Sequence, residues 1–404
     1  MNKKLFVIFL VVFIDLLGFG IIIPLLPLFS QNTLHVSETY IGLVTGIFSL
    51  MQFIFSPFWG RLSDIYGRKP IIIFSLFGNV CSYILLGLVF NGTLQSPELL
   101  LFARAMAGFF SANIGAAMAY IADVTPPHER SKGMGLIGAA FGLGFIFGPF
   151  MGGILANRFD YSTPVFLSAG LSLLALVCTI FLLNESLTAE LKAKAKQKIS
   201  RFNWHKIKEV LFHPQIGFLI LLYFIAVFAI SNIFSTFQLF AESTNGFSYD
   251  VEQVSYLFAY SGTIGALTQG VFIRQLLKKF NERKIFIAGN FLMGIGLGTI
   301  PFANHELPFL LASIFCMSAG NGLILPIGLS LISKFVKPQE QGEVLGMNQS
   351  LASLARFIGP FWGGIVYQHL GFMFPFLTGG FVMAIGTVMS LRLMKISFNP
   401  HHSN

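Results

Sequence analysis

The chain has 404 residues, of which 54% are hydrophobic and only 11% are charged, and its mean hydropathy is +0.74. Soluble domains carry about 25% charged residues, so this composition excludes a soluble globular protein. The formal net charge is +9. The three cysteines each lie inside a long apolar run without C-x-x-C spacing, which argues against a disulfide framework and a thiolate metal site.

Apolar stretches long enough to cross a bilayer recur along nearly the whole sequence. A transmembrane helix needs about 20 mostly apolar residues, and twelve stretches reach that length. The first is longer than the apolar region of a secretory signal and lacks a small-residue cleavage site, so we expect it to stay in the mature protein. The predicted spans cover residues 5–29, 41–60, 70–90, 98–120, 134–155, 163–183, 216–238, 253–273, 285–303, 308–332, 344–366 and 372–394.

The distribution of lysine and arginine predicts the orientation of these spans. If the N-terminus is cytoplasmic, 23 of the 26 basic residues fall on the cytoplasmic side, Arg158 lies outside, and Arg104 and Arg356 lie within spans. Basic residues near span ends accumulate on the cytoplasmic side. The sequence therefore predicts an even number of spans with both termini cytoplasmic. It assigns the net charge to topology and to contact with anionic membrane lipid, not to nucleic-acid binding.

Span one carries the one acidic residue that lies deep within a predicted span. Asp15 is about ten residues from the inner end, and therefore near the bilayer centre at about 1.5 Å per residue. A carboxylate at this depth costs several kcal/mol unless it is paired, hydrated or protonated, and loss of water favours the neutral acid. We interpret Asp15 as a reversible proton carrier. The alternative is a structural carboxylic acid that is hydrogen-bonded to a neighbouring helix.

The loop between spans two and three predicts a tight turn between antiparallel helices, in which Gly67 can supply a positive φ. Asp64 is then free to sit at the N-terminus of a neighbouring helix, where the helix dipole favours an anion. Arg68 and Asp123 lie on adjacent inner loops and can pair. Contacts of this kind would hold one conformation and break in another. The loop reads Gly60-Arg-Leu-Ser-Asp64-Ile-Tyr-Gly67-Arg68-Lys69.

Spans four and eleven contain the two cations that are predicted to lie within the membrane, Arg104 and Arg356. Each must face the interior of the bundle or a water-filled cavity rather than lipid. Arg356 can bind an anionic substrate group or modulate Asp15. Arg104 lies nearer the outer end, so snorkelling toward water is an alternative to a functional role.

Span five has a stripe of small residues that makes a groove for another helix. Pro149 removes a backbone hydrogen bond and bends the span, which suits a helix on which alternating access depends. The alternative is a role in packing alone. The stripe reads Gly144-x-x-x-Gly148-Pro149-x-x-Gly152-Gly153.

The longest polar stretch lies between spans six and seven and divides the chain into three parts. We predict a six-helix bundle over 1–183, a cytoplasmic central loop over 184–214, and a second six-helix bundle with a short cytoplasmic tail over 215–404. The later part of the loop is either a short helix on the inner membrane face or a solvated linker.

An internal repeat supports the division into two related halves. Residues 121–154 align without a gap to residues 332–365, which matches Gly-Pro-Phe-Met-Gly-Gly with Gly-Pro-Phe-Trp-Gly-Gly, Pro127 with Pro338, and Glu129 with Glu340. A duplicated six-helix unit is the layout of transporters whose halves rock about a site at the midplane.

Polar and aromatic side chains at central positions of the spans are candidates for lining a substrate cavity. Each is equally a candidate for hydrogen bonding between helices, worth about 1 kcal/mol. The candidates are Asn113, Tyr120, Asn232, Gln238, Tyr256, Tyr260, Asn321, Gln349 and Arg356.

Together these motifs resemble the major facilitator superfamily and, within it, the twelve-span drug/proton antiporters that include the bacterial tetracycline exporters. The resemblance covers the whole chain. It implies the major facilitator fold, which is an all-α integral membrane protein with twelve transmembrane helices in two pseudo-symmetric six-helix bundles. The motifs that carry it are Gly60 to Lys69 in loop 2–3, Leu100-x-x-x-Arg104 with Gly108 in span four, Gly144 to Gly153 in span five, and Leu17-Gly18 with Pro24-x-x-Pro27 in span one.

The resemblance also implies roles for individual residues. Asp15 and Arg104 match positions that couple transport to protons, and Asp64, Arg68 and Asp123 match a cytoplasmic charge network. Tetracycline exporters carry further acidic residues in spans three and nine. In this chain Ser82 stands at the comparable position of span three, and span nine has no acidic residue. These departures argue against tetracycline as the substrate.

We therefore expect a monomeric, multi-pass secondary transporter of the inner membrane that exports small amphipathic compounds, drug-like or endogenous, in exchange for protons. We expect the proton to be its coupling ion, with no cofactor. Proton-coupled uptake of a sugar or organic acid is the alternative, and a non-transporting sensor or scaffold is a third possibility. No HExxH, Walker A or nucleophile-elbow motif is present, so we do not expect an enzyme.

Overall fold

The computed structural model describes residues 3–125, 130–188, 190, 192, 204–244, 246–336 and 340–394, and over these residues all regular structure is helical. The helices of the first part of the chain are α1 (Lys3–Ile22), α2 (Leu25–Asn32), α3 (Glu38–Tyr66), α4 (Arg68–Phe90), α5 (Pro97–Phe110), α6 (Ile114–Val124), α7 (Arg130–Arg158) and α8 (Ser162–Leu182). Those that follow are α9 (Trp204–Phe212), α10 (Ile216–Asn232), α11 (Phe237–Glu242), α12 (Val251–Leu267), α13 (Ile273–Leu277), α14 (Glu282–Thr299), α15 (Leu307–Lys334), α16 (Gln341–Leu370) and α17 (Phe374–Ser390).

Nine stretches of the described chain are helical, long and apolar enough to cross a membrane. Helices α7, α12 with its continuation α13, and α16 occupy the positions of predicted spans five, eight and eleven. The all-helical membrane fold is confirmed, whereas the count of twelve crossings, the cytoplasmic termini and the domain bounds stay predictions. Pro127, Glu129 and Pro338 of the repeat, and residues 189, 191 and 193–203 of the central loop, lie outside the described residues. The inner and outer ends of the helices are those that the predicted topology places toward and away from the cytoplasm.

Two prolines break the first span and free a carbonyl for a contact with a distant helix. Pro24 follows the end of α1 at Ile22, and it has no N–H to donate. Pro27 likewise cannot donate to the carbonyl of Ile23 four residues earlier. Nε2 of Gln238, on α11, donates to that carbonyl at 2.8 Å. A side chain from the second half of the chain thus replaces the missing backbone hydrogen bond.

The buried apolar residues form separate cores in the two halves. One large cluster consists wholly of residues between Val210 and Leu393, and another of residues between Val7 and Leu183. A third cluster lies toward the outer ends and combines first-half residues with Leu239 and Val251. Apolar packing therefore continues from one half to the other at the outer side.

The outer ends of the two halves are in close contact. Helices α3 and α16 approach so closely that a Cβ added at Gly42 would overlap the backbone carbonyl of Pro360. At the outer rim, Nδ2 of Asn32 donates to Oε1 of Glu242 at 2.9 Å. The outer side of the interface between the halves is therefore closed.

Glycines near the inner ends of the same helices have open space beside them. A Cβ added at Gly60 on α3, or at Gly342 or Gly346 on α16, would meet no packing neighbour among the described residues within 4 Å. These inner faces are therefore free, whereas Gly42 near the outer end of α3 is in contact with α16.

Candidate functional site: a buried acid and two buried arginines

Asp15 lies buried on α1 and is held by neutral side chains. Nδ2 of Asn79, on α4, donates to its Oδ1 at 3.0 Å, and Nδ2 of Asn113 lies 3.5 Å from its Oδ2. Asp15 is 5% exposed, and it forms no salt bridge with any described residue. A carboxyl group held in this way can gain or lose a proton without breaking an ion pair.

Asn79 is a part of this site that the sequence reasoning missed. It is fully buried, and its Oδ1 accepts a hydrogen bond from Oγ of Ser111 at 3.1 Å, which turns its NH₂ group toward Asp15. The sequence pattern that indicates Asn79 is its position as the one asparagine in the apolar run of span three, because an amide that is buried in the membrane needs a polar partner. Ser82, at the position where tetracycline exporters carry an acid, instead bonds the carbonyl of Gly78 within its own helix.

Arg104 lies in the protein interior on α5 and does not snorkel to water. It is 2% exposed, and its guanidinium carbon lies 4.9 Å from the ring centroid of Phe48 and 5.9 Å from that of Phe19. These distances are those of cation–π contacts. Its Nε and Nη1 atoms are buried without a hydrogen-bond partner. The charge is therefore stabilised by aromatic faces but leaves donors open.

A narrow cavity between the two halves contains Arg104 and Arg356. It has room for about one water molecule. Arg356, on α16, donates from Nη2 to Oγ of Ser353 at 2.9 Å. Of the nine predicted cavity residues, Arg356 alone belongs to its lining, which consists of Phe19, Ile22, Ile23, Leu26, Thr45, Ser49, Arg104, Phe234, Arg356 and Pro360.

Three other cavity candidates serve contacts between helices. The hydroxyl of Tyr120 donates to the carbonyl of Asn184 at 2.9 Å near the inner end. Nδ2 of Asn232 donates to the carbonyl of Pro375 at 2.6 Å, which joins α10 to α17. Nε2 of Gln238 donates to the carbonyl of Ile23 in the first span. In this conformation these side chains therefore hold helices together.

The remaining candidates lie on the helices of the second half. Tyr256 is 46% exposed near the outer end of α12, where its hydroxyl bonds Glu252. The hydroxyl of Tyr260 donates to the carbonyl of Leu311 at 3.4 Å. Asn321 and Gln349 are partly buried, and Oδ1 of Asn321 has no partner among the described residues. An open amide oxygen of this kind is a polar group to which a ligand can donate.

Arg68 is the centre of the predicted charge network at the inner end of the first half. Its Nη2 lies 2.6 Å from Oδ1 of Asp64, and its Nε lies 3.3 Å from Oδ2 of Asp123. Asp64 thus pairs with Arg68 in this conformation, and no hydrogen bond joins it to the N-terminus of a neighbouring helix among the described residues. Gly67 has a φ of +111° at the turn, and Nζ of Lys69 donates to the carbonyl of Ile180 at 2.8 Å.

Glu185, just after α8, is a second residue that the sequence reasoning missed. Its Oε1 accepts from the backbone N–H of Arg68 at 3.0 Å, and its Oε2 lies 3.1 Å from Nζ of Lys192. Burial alone would raise the pKa of Glu185, but hydrogen bonds from the Leu187 N–H, Lys192 and the Arg68 N–H lower it below its usual range. Gly67 leaves room for this carboxylate, because an added Cβ there would overlap Oε2. The acid therefore caps the first turn of α4.

The small residues of span five form contacts with α1 and with α12. A Cβ at Gly144 would lie 2.8 Å from Cβ of Leu16, and one at Gly148 would lie 2.7 Å from Cα of Gly20. Gly152 faces the carbonyl of Ile21 in the same way. On the other side of the helix, Gly153 packs against Ser255, and Pro149 lies inside α7. The predicted groove is therefore occupied by α1.

Comparison with known proteins places this architecture in a family. The sequence profile of the Major Facilitator Superfamily matches residues 8–281 and 219–403. The chain is 32% identical over 396 residues to multidrug resistance protein 2 of Bacillus subtilis, an alignment that covers 96% of this chain and 95% of that protein. The chain belongs to the Major Facilitator Superfamily. The class E tetracycline resistance protein of Escherichia coli is 30% identical over 373 residues, which cover 91% of this superfamily member and 89% of that protein.

A solved structure shows the same superfamily fold. The human organic anion transporter MFSD10 (TETRAN) superposes with a TM-score of 0.72 at 24% identity, covering 96% of this chain and 99% of that one. The predicted fold and family are therefore confirmed. This superfamily member is a multi-pass transporter of the inner membrane, and its relatives include bacterial drug-resistance proteins.

Proposed function

We propose that this superfamily member exports small amphipathic compounds from the cell in exchange for protons, and that Asp15 carries the proton. The observation that carries the proposal is the environment of Asp15. It is the one acid deep in a span, and Asn79 and Asn113 hold it with neutral amides. An ionisable group placed in the membrane at this cost is functional by default.

The close outer contacts between the halves, and the open space beside Gly60, Gly342 and Gly346, support a path for the compound from the inner side. A compound enters from the cytoplasm between the inner ends of α3 and α16. The halves then rock about the central residues, and the inner ends approach while contacts such as Asn32 with Glu242 separate. Protonation of Asp15 from the outer side drives the return. The names of the relatives, which are multidrug and tetracycline resistance proteins, support export.

Transport by this protein requires neither a cofactor nor a second subunit. The proton gradient supplies the free energy, and the bound compound is not chemically changed. Membrane lipid surrounds the helices, and the basic inner loops contact anionic lipid headgroups. No catalytic activity is part of the proposal.

The test uses everted membrane vesicles with an acidified lumen and a fluorescent pH indicator. Addition of ethidium, tetracycline or 2-naphthoate to wild-type vesicles should make the lumen more alkaline for at least one compound, because the compound enters while protons leave. A symporter for uptake would not make the lumen more alkaline, because it moves the compound and the protons in the same direction. Asp15→Asn should abolish the response.

A matched variant controls for expression and for loss of an acid. Asp160→Asn makes the same chemical change in an outer loop, where the asparagine can still accept from the N–H of Thr163. It should respond like the wild type. Undiminished proton exchange by Asp15→Asn, at equal protein amount in the membrane, would reject Asp15 as the carrier.

A further inference from the structure

Two buried guanidinium groups from opposite halves of the protein line the same cavity. Arg104 comes from α5 and Arg356 from α16, and the space between their helices is enclosed by both halves. Neither arginine forms a salt bridge with a described residue. Two positive charges thus border one cavity in the membrane interior without a carboxylate partner among the described residues, an arrangement that favours binding of an anion.

The unpaired N–H donors of Arg104 indicate which chemical group the cavity binds. Its Nε and Nη1 are buried and unpaired, although Arg104 is 2% exposed. Phe19 and Phe48 flank the guanidinium but cannot accept its N–H hydrogen bonds in its plane. The N–H donors of a guanidinium lie in one rigid plane, where the oxygens of a carboxylate can accept from them. The nearest acid of the first span, Asp15, is bonded to amides and does not fill this role.

The rest of the cavity wall indicates the kind of molecule that carries the anionic group. Thr45 and Ser49 are the other polar residues of the lining, and the remaining side chains are apolar, among them Phe19 and Phe234. A hydrated inorganic ion would have to give up its water to such walls, whereas an organic acid places its apolar body there. The cavity is narrow in this conformation, so the two halves must move slightly apart at its level to admit the headgroup, and the body of the compound then lies against the apolar lining.

We propose that Arg104 and Arg356 bind the carboxylate of an amphipathic organic anion between the two halves. The inference rests on the proposed export function, because it names a class of compound for the same central site. The carboxylate draws the two halves together at the level of the cavity, since each half contributes one cation. Recognition of the anion is thereby tied to the rocking motion.

Binding is measured on the purified full-length protein in detergent, from the rise of its thermal unfolding temperature. The probes are 2-naphthoate, its neutral analogue 2-naphthamide, and sodium chloride alone. The wild type should be stabilised by 2-naphthoate and not by 2-naphthamide. Arg356→Gln should weaken the apparent affinity for 2-naphthoate by about tenfold or more, as loss of a hydrogen bond to a charged group predicts.

Two further variants separate loss of charge from loss of structure. Arg356→Lys keeps the charge and should retain part of the affinity. Arg274→Gln removes the same charge at an exposed position near the inner end of the eighth span and should bind like the wild type. Equal stabilisation of the wild type by 2-naphthoate and 2-naphthamide would overturn the inference. This comparison uses the wild type alone and does not depend on whether the variants fold. Equal stabilisation by chloride alone would also overturn it, because the site would then accept any anion.

The outcome is independent of the vesicle test. If 2-naphthoate binds through Arg356 but no compound exchanges for protons, the proposed transport fails and the anion site stands. If proton exchange occurs and 2-naphthoate binding is unchanged in Arg356→Gln, the anion site fails and the transport stands.

Discussion

The spacing of Arg104 and Gly108, one helical turn apart on α5, has a physical reason in the structure. Gly108 lies against the backbone of Phe48 on α3, where an added Cβ would overlap the Phe48 carbonyl. This close approach lets the Phe48 ring reach the guanidinium of Arg104, whose central carbon is 4.9 Å from the ring centroid. The glycine therefore supports the buried charge through the position of its aromatic neighbour.

Gly108→Ala should destabilise the protein, because the new methyl group on α5 would overlap the backbone of Phe48 on α3. Overpacking of this kind costs about 1–3 kcal/mol, which should appear as a lower unfolding temperature in detergent. The matched control is Gly115→Ala on α6, an exposed position where no described atom lies within 4 Å of the added Cβ. Equal unfolding temperatures for the two variants would show that α3 and α5 can separate without cost.

At the scale of helices, the contact of α7 with α1 joins the span-five motif to the proton site. Gly144 and Gly148 let the two backbones approach over the turns that contain Leu16 and Gly20. Leu16 follows Asp15 directly in the sequence. Because α7 also packs against α12 of the other half through Gly153, a shift of α7 during rocking is transmitted to the segment of α1 that carries the acid.

Gly148→Ala should reduce proton-coupled export as well as stability. An added Cβ would lie 2.7 Å from Cα of Gly20, so α1 and α7 must move apart and Asp15 must shift relative to Asn79. Gly142→Ala on the same helix is the control, because its Cβ would make an ordinary contact at 4.0 Å with Cβ of Ala266. The vesicle assay measures both variants at equal protein amount. A normal response from Gly148→Ala would separate the glycine stripe from the transport cycle.

The lengths of the apolar stretches predicted the helical membrane fold from the sequence, because they depend only on residues that are neighbours along the chain. The pairing of Arg68 with Asp123 was also predictable, since both belong to inner loops of one half. The partners of Asp15 were not, because one sequence does not reveal which face of α4 turns toward α1. For the same reason, the sequence named Gln238 as a cavity residue, although it bonds the carbonyl that Pro27 leaves open.

At the scale of the whole molecule, polar contacts are arranged differently at the two sides of the interface. On the outer side they join the halves, as Asn32 with Glu242 and Asn157 with Glu252 show. The inner charge cluster around Arg68 is formed within the first half. Asp64 is half-exposed there and remains available to a helix of the other half when the inner ends close. The polar groups thus favour two alternative arrangements of the halves.

Covalent linkage of the outer rim should therefore arrest the transport cycle. The double variant Asn32→Cys with Glu242→Cys, in a background where Cys81, Cys178 and Cys316 are replaced by serine, places two thiols where a 2.9 Å hydrogen bond now joins the halves. A short bifunctional methanethiosulfonate should join the two cysteines. After cleavage of the central loop, the two halves of a linked protein stay together on a denaturing gel, whereas those of an unlinked protein separate. Export should stop on linkage and return on reduction, because the outer ends must separate in each turn of the cycle. The single variants, treated identically, should continue to export, and full export by the linked protein would mean that the halves do not rock apart at this rim.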